Sequence, residues 1–93
     1  SFERNYEISF KCIYETKDYN EIQIINNKGK VSINKEIKPK IKILNGDKIE
    51  DLVFEKKFDK IGLNVVCFVI VSKLTDMSFL FNGCSALKGI DQK

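Results

Sequence analysis

The sequence predicts an α+β fold that is mainly β, and three observations predict it. Near the N-terminus, apolar and polar residues alternate over about ten positions. Later, Val65 to Val71 forms a continuous, β-branched apolar run. Turn formers at Asn26 to Lys30 and at Asn45-Gly46-Asp47 cut the chain into short pieces, and only two short stretches carry helical spacing. The composition, 43% hydrophobic and 31% charged over 93 residues, is that of one ordinary globular domain or a fragment of something longer.

In the first segment Tyr6, Ile8, Phe10, Cys12 and Tyr14 recur at every second position, with Glu7, Ser9, Lys11 and Ile13 between them. A period of two places one set of side chains on a single face, so a strand is expected over about 5–15. Residues 16–20 carry turn formers. Alternation resumes at Ile22 and Ile24, giving a second strand over 21–25. Gly29 can take positive φ in the next turn, and the simplest outcome is an antiparallel meander. Tyr14 and Tyr19 are expected to half-bury against the sheet.

Val31, Ile33 and Ile37 suggest a shorter, noisier strand. Pro39 has no amide proton and marks an edge or break. From Lys40 to Leu44, Ile41 and Ile43 point inward. Asn45-Gly46 suits a two-residue type I′ hairpin, with a return strand over 48–54. Phe54, Phe58 and Ile61 then fall at i, i+4 and i+7 before Gly62, which reads as a short helix or irregular turn. The 65–71 run is expected to be the most central strand, buried on both faces.

After it, Thr75 is suited to cap a helix, with Met77, Leu80, Phe81 and Cys84 on one face. Asn82-Gly83 ends that helix, and Ala86, Leu87 and Ile90 form a short extended stretch.

Histidine is absent, which removes the commonest general base and metal ligand. Cys12, Cys67 and Cys84 form no CxxC pair. Buried free thiols in a reducing compartment are the favoured reading, with one bridge plus one free thiol as the alternative. No phosphate-binding glycine loop occurs, and Asp47, Glu50 and Asp51 lack calcium-loop spacing. Ser78 and Ser85 have no base partner. No catalytic residue, cofactor or metal is therefore expected, and the protein is read as a non-enzyme.

Net charge is +3, from 16 basic and 13 acidic residues. Arg4 is the single arginine, whereas nucleic-acid binders cluster arginines. Lys35, Lys38, Lys40 and Lys42 are read first as a solvated strand edge that resists edge-to-edge pairing. A contact with anionic lipid or nucleic acid is the sharper alternative. The longest apolar run has seven residues, far below the roughly 20 of a transmembrane helix. Ser1 to Tyr6 is polar and reads as no signal peptide.

The stretch Asp76-Met77-Ser78-Phe79-Leu80-Phe81-Asn82-Gly83-Cys84-Ser85-Ala86-Leu87-Lys88-Gly89-Ile90-Asp91 closely resembles the repeat of BspA-like leucine-rich-repeat proteins, found in mycoplasmas and protists. Leu80 stands where that repeat often has Met, and Ala86 where it often has Ser. With Phe58, Gly62, Leu63 and Val66 to Ile70 as lead-in, the resemblance covers about 54–91, a little under half of the chain.

This resemblance implies a β-rich N-terminal cap over 1–70 and a single, truncated repeat over 71–93. Met77, Leu80, Phe81, Cys84, Leu87 and Ile90 would form its core and stacking surface. In a solenoid each rung leans on its neighbours. A lone rung should therefore expose an apolar edge around Met77, Phe79, Phe81 and Leu87. The expected function is a protein–protein interaction module. Phe79, Lys38, Lys40 and Lys42 are candidate contact residues, and protein partners would dock on a repeat edge or a sheet edge. The alternatives are a structural subunit of a large assembly and an accessory domain of an enzyme whose catalytic part is elsewhere. The resemblance also carries a cell-surface location, against the cytoplasm favoured by the thiols. For residues 5–54 a ubiquitin-like β-grasp is the second fold choice, although its long amphipathic helix is missing.

Overall fold

The computed structural model describes residues 8–26, 35–73 and 80–92. They build a small, mainly β protein. Its strands are β1 (Ile8–Thr16), β2 (Ile22–Gln23), β3 (Ile41–Asn45), β4 (Lys48–Asp51), β5 (Glu55–Lys56), β6 (Gly62–Ile70) and β7 (Leu87–Gln92). Five of them form one antiparallel sheet in the order β4-β3-β6-β1-β7, while β2 and β5 make a separate two-stranded ribbon.

The alternation in β1 does what a period of two requires. Phe10, Cys12, Tyr14 and Thr16 are buried, whereas Lys11 and Glu15 face solvent. Opposite them, Phe68 pairs with Phe10, Val66 with Cys12 and Ile70 with Ile8. Ile41 and Ile43 of β3 extend the same face, as the sequence predicts. Ile24, Ile25, Ile37, Leu52, Phe58 and Leu80, all from segments outside the large sheet, close over it. Phe10, Phe68 and Phe81 cluster with ring centroids 5.6 to 6.4 Å apart, two of the three contacts being edge-on. The Tyr14 hydroxyl donates to the Ile24 carbonyl at 2.7 Å, so its polar tip is satisfied within the core. Tyr14 is thus fully buried and Tyr19 is exposed, where half-burial of both was expected.

Several expectations are corrected. The meander does not form: β1 is flanked by β6 and β7, and β2 pairs with β5 instead. Ile24 and Ile25 are consecutive and both fully buried, which a half-buried strand cannot arrange. The chain leaves the strand there, and the Ile24 and Ile25 amides both donate to the Phe54 carbonyl. Ile37 lies in a helical turn over 35–37, not a strand, and Pro39 follows in the turn leading to β3.

The β3–β4 hairpin pairs Asn45 with Lys48, so its loop is Gly46-Asp47. Gly46 has φ 66°, and no described non-glycine residue has positive φ. That is the type II′ pattern, with glycine first, in place of type I′.

The helix considered over 55–62 is also absent. Its backbone acceptors are used elsewhere: Phe54 serves Ile24 and Ile25, and Lys60 accepts from the Thr16 hydroxyl and the Asn64 amide. Eight residues are too few to nucleate a helix against such competition. Gly62, with φ 116°, opens β6 where a C-cap was expected.

β6 is central, the third of five strands, as predicted. Burial on both faces holds only near its end, at Phe68, Val69 and Ile70. Leu63 and Val65 are 58% and 56% exposed on the face away from the core. The expected strand residues Val31 and Ile33, the turn at Asn27 to Gly29, and Tyr6 lie outside the described residues.

Candidate interaction surface

The repeat-like segment is visible from Leu80 onward; Thr75, Met77 and Phe79 lie outside the described residues. Residues 80–83 form a turn, and the Phe81 carbonyl accepts from the Cys84 amide at 3.1 Å. Gly83 takes φ 83°, a conformation that suits glycine. The Cys84 carbonyl then accepts from Leu87 at 3.1 Å, and the chain enters β7.

Two residues from the segment after β1 hold this turn. The Asn26 amide donates to the Leu80 carbonyl at 2.7 Å. The Gln23 side-chain amide donates to the Asn82 carbonyl at 2.9 Å and contacts Cys84 Sγ at 3.6 Å. Leu80 is fully buried and Cys84 is buried. Phe81 and Leu87 are half-buried against the core, whereas an exposed apolar edge was expected of them. Ile90, expected inside, is 51% exposed. It lies opposite Cys12, on the core side of the sheet, but at the outermost strand.

β7 pairs with β1 alone, so among the described residues its outer rim has no strand beside it. A bulge between Ile13 and Tyr14 leaves Lys88 as an extra residue, which reaches Glu15 at 3.7 Å. The other rim of the sheet is β4, four residues of which three are exposed and charged. Charged, short edges resist pairing. β7 is longer and carries Gly89 and Ile90, which makes it the more receptive of the two.

The lysine group is dispersed. Lys38 is exposed in the turn after residue 37. Lys40 lies 3.6 Å from Glu36, and its carbonyl accepts from Val71. Lys42 meets Asp51 at 3.1 Å, and this ammonium holds the Asp51 carboxyl below its ordinary range. Two of the three candidate cations are therefore matched by carboxylates.

All three cysteines are free. Burial pushes the Cys12 thiol up to about 12 and raises that of Cys84. Both are protonated and poorly nucleophilic at neutral pH. Among the described residues no group of three His, Cys, Asp or Glu side chains could hold a metal, and no helix is long and apolar enough to cross a membrane.

Sequence reasoning missed the Gln23–Asn82 clamp and the Thr16–Lys60–Asn64 cluster. Their partners stand 59 and 44 residues apart and leave no local signal. No family model, curated protein or solved structure matches the chain.

Proposed function

We propose that this chain is a non-catalytic protein–protein interaction module, the capping segment of a BspA-like leucine-rich-repeat protein. The reading rests on one observation: the residues that most resemble the family repeat end in β7, a sheet edge with one neighbour. An edge strand offers a row of backbone donors and acceptors to a further strand. In a solenoid each rung supplies a turn and a strand, and the next strand lies parallel to the last. A rung beyond β7 would cover the exposed Ile90 and pair with the outer rim. The buried Leu80 and Cys84 and the clamp from Gln23 and Asn26 support the reading, because they tie the turn to a rigid core that a following rung can stack on.

The test is to extend the chain after Lys93 with two consensus repeats of the BspA-like type and follow thermal unfolding. If this module caps an array, the extended protein unfolds in one transition at a higher temperature than the parent. Separate melting, or repeats that stay unfolded while the parent transition is unmoved, refutes the proposal.

A further inference from the structure

The sheet face turned away from the core carries an apolar stripe that no part of the proposed edge contact uses. Val65 of β6 stands directly opposite Ile13 of β1, Leu63 lies beside them, and Cys67 faces Leu44 of β3. Leu63 and Val65 are more than half exposed; Ile13, Leu44 and Cys67 are half-buried. Four exposed charges flank the stripe in an ordered way. On β1, Lys11 and Glu15 sit two residues either side of Ile13 on the same face. On β7, Asp91 is opposite Lys11, and Lys88 reaches Glu15.

This charge pattern is antisymmetric about Ile13. A two-fold axis lying over the face, perpendicular to β1 at Ile13, reverses strand direction and keeps strand order. Ile13 then meets Ile13 of a second copy, Val65 meets Val65, and Leu63 meets Cys67. Lys11 comes over the second copy's Glu15, and Asp91 over its Lys88. Each of these four charges then meets its opposite, and Ile13, Val65, Leu63 and Cys67 meet one another, while Lys42 and Asp51, on the same face of β3 and β4, pair with each other within one copy. Packed sheets cross at about 30°. At roughly 7 Å from the axis this moves a side chain sideways by about 3 Å, within the reach of lysine and glutamate.

We infer that this face binds a second copy of the same chain, as a two-fold, face-to-face sheet dimer. The stripe from Leu63 to Cys67 is about 16 Å long and spans three strands, roughly 14 Å, or about 220 Å² per copy. That is smaller than the largest apolar patch of a typical monomer, roughly 300–600 Å². It is well below the roughly 800 Å² per partner of a standard stable interface, so the dimer is a weak one, with a dissociation constant of tens to hundreds of micromolar. Its symmetry is isologous, as dimer interfaces usually are.

Sedimentation of the whole chain from about 5 to about 500 µM tests the inference. The wild type should pass from monomer to dimer over that range. Val65→Lys, an exposed position, should stay monomeric with an unchanged circular-dichroism spectrum. Two charge variants supply the second arm. Lys11→Glu with Lys88→Glu makes all four charges acidic, and Glu15→Lys with Asp91→Lys makes them all basic. Each should be monomeric alone, and an equimolar mixture should associate at least about tenfold more tightly than either. A wild type monomeric throughout, a Val65→Lys protein that dimerises like the wild type, or a mixture no tighter than its components overturns the dimer. None of these outcomes bears on the repeat extension after Lys93, which uses the sheet's edge and not this face.

Discussion

Replacing Gly83 by alanine probes the joint between the repeat-like turn and the rest of the protein. Gly83 sits at φ 83°, and a Cβ placed there would lie 3.0 Å from the Gln23 side-chain nitrogen that clamps Asn82. Two costs follow. Holding an alanine in the left-handed region costs about 1–2 kcal/mol. Displacing Gln23 by a few tenths of an ångström weakens a hydrogen bond worth about 0.5–1 kcal/mol. The sum is roughly 1.5–3 kcal/mol. For a chain of 93 residues the unfolding entropy is about 0.2 kcal/mol/K, so Tm should fall by about 8–15 °C. Thermal denaturation by circular dichroism reads this directly. The Gln23→Ala background separates the terms: there Gly83→Ala should cost only the backbone part. Gly89→Ala is the control, since nothing lies within 4 Å of its added carbon and its φ is not in the positive region. That variant should melt at or slightly above the parent temperature. A Gly83→Ala protein melting within about 2 °C of the parent would refute the account of the joint.

Leu80→Ala leaves a cavity beneath the turn, where the side chain is fully buried; a loss of about 2–5 kcal/mol is expected by urea denaturation. Tyr14→Phe removes the donor to the Ile24 carbonyl and should cost about 1–2 kcal/mol, with the five-stranded sheet retained by far-ultraviolet circular dichroism. Alkali should destabilise the protein in a defined window. An unfolded Cys12 thiol ionises near 9.0, whereas the folded one stays protonated to about 12, so its stabilisation is complete below pH 9 and is lost as pH rises from 9 to 12. Tyr14 is raised in the same direction by burial and adds to the loss above pH 10. Each group contributes a slope of about 1.4 kcal/mol per pH unit inside its window. Denaturation of Cys12→Ala should show a shallower fall between pH 9 and pH 10; an identical slope would contradict the burial of that thiol.

What could be read from residue order, and what could not, divides by range. β1, the central β6, the inward Ile41 and Ile43, and the Asn45-Gly46-Asp47 turn each announce themselves through period, β-branching or turn chemistry within a few residues. Strand neighbours do not. β1 has no local feature that selects β6 and β7 over β2; the choice follows from nine paired residues with β6 against the two that β2 can offer. The spacing of Phe54, Phe58 and Ile61 fits a helix, yet only Phe58 is buried, because distant donors claim the carbonyls a helix would need. In the repeat-like segment the burial of Leu80 and Cys84 follows from their spacing. The exposure of Ile90 does not, since it depends on β7 having no strand beyond it among the described residues. The exposed Leu63 and Val65 were hidden for a related reason: a continuous apolar run reads as buried on both sides, and only the assembled sheet shows which part of its back is left uncovered.

Amide hydrogen exchange along Leu87–Gln92 tests most directly whether the repeat-like terminus is an edge built to receive another rung. In the chain as it stands, alternate amides should be protected by pairing with β1, and those on the outer rim should exchange fast. With two consensus repeats attached after Lys93, the outer-rim amides should become protected as well. Outer-rim exchange that stays fast beside folded repeats, or uniform protection before they are added, would contradict it.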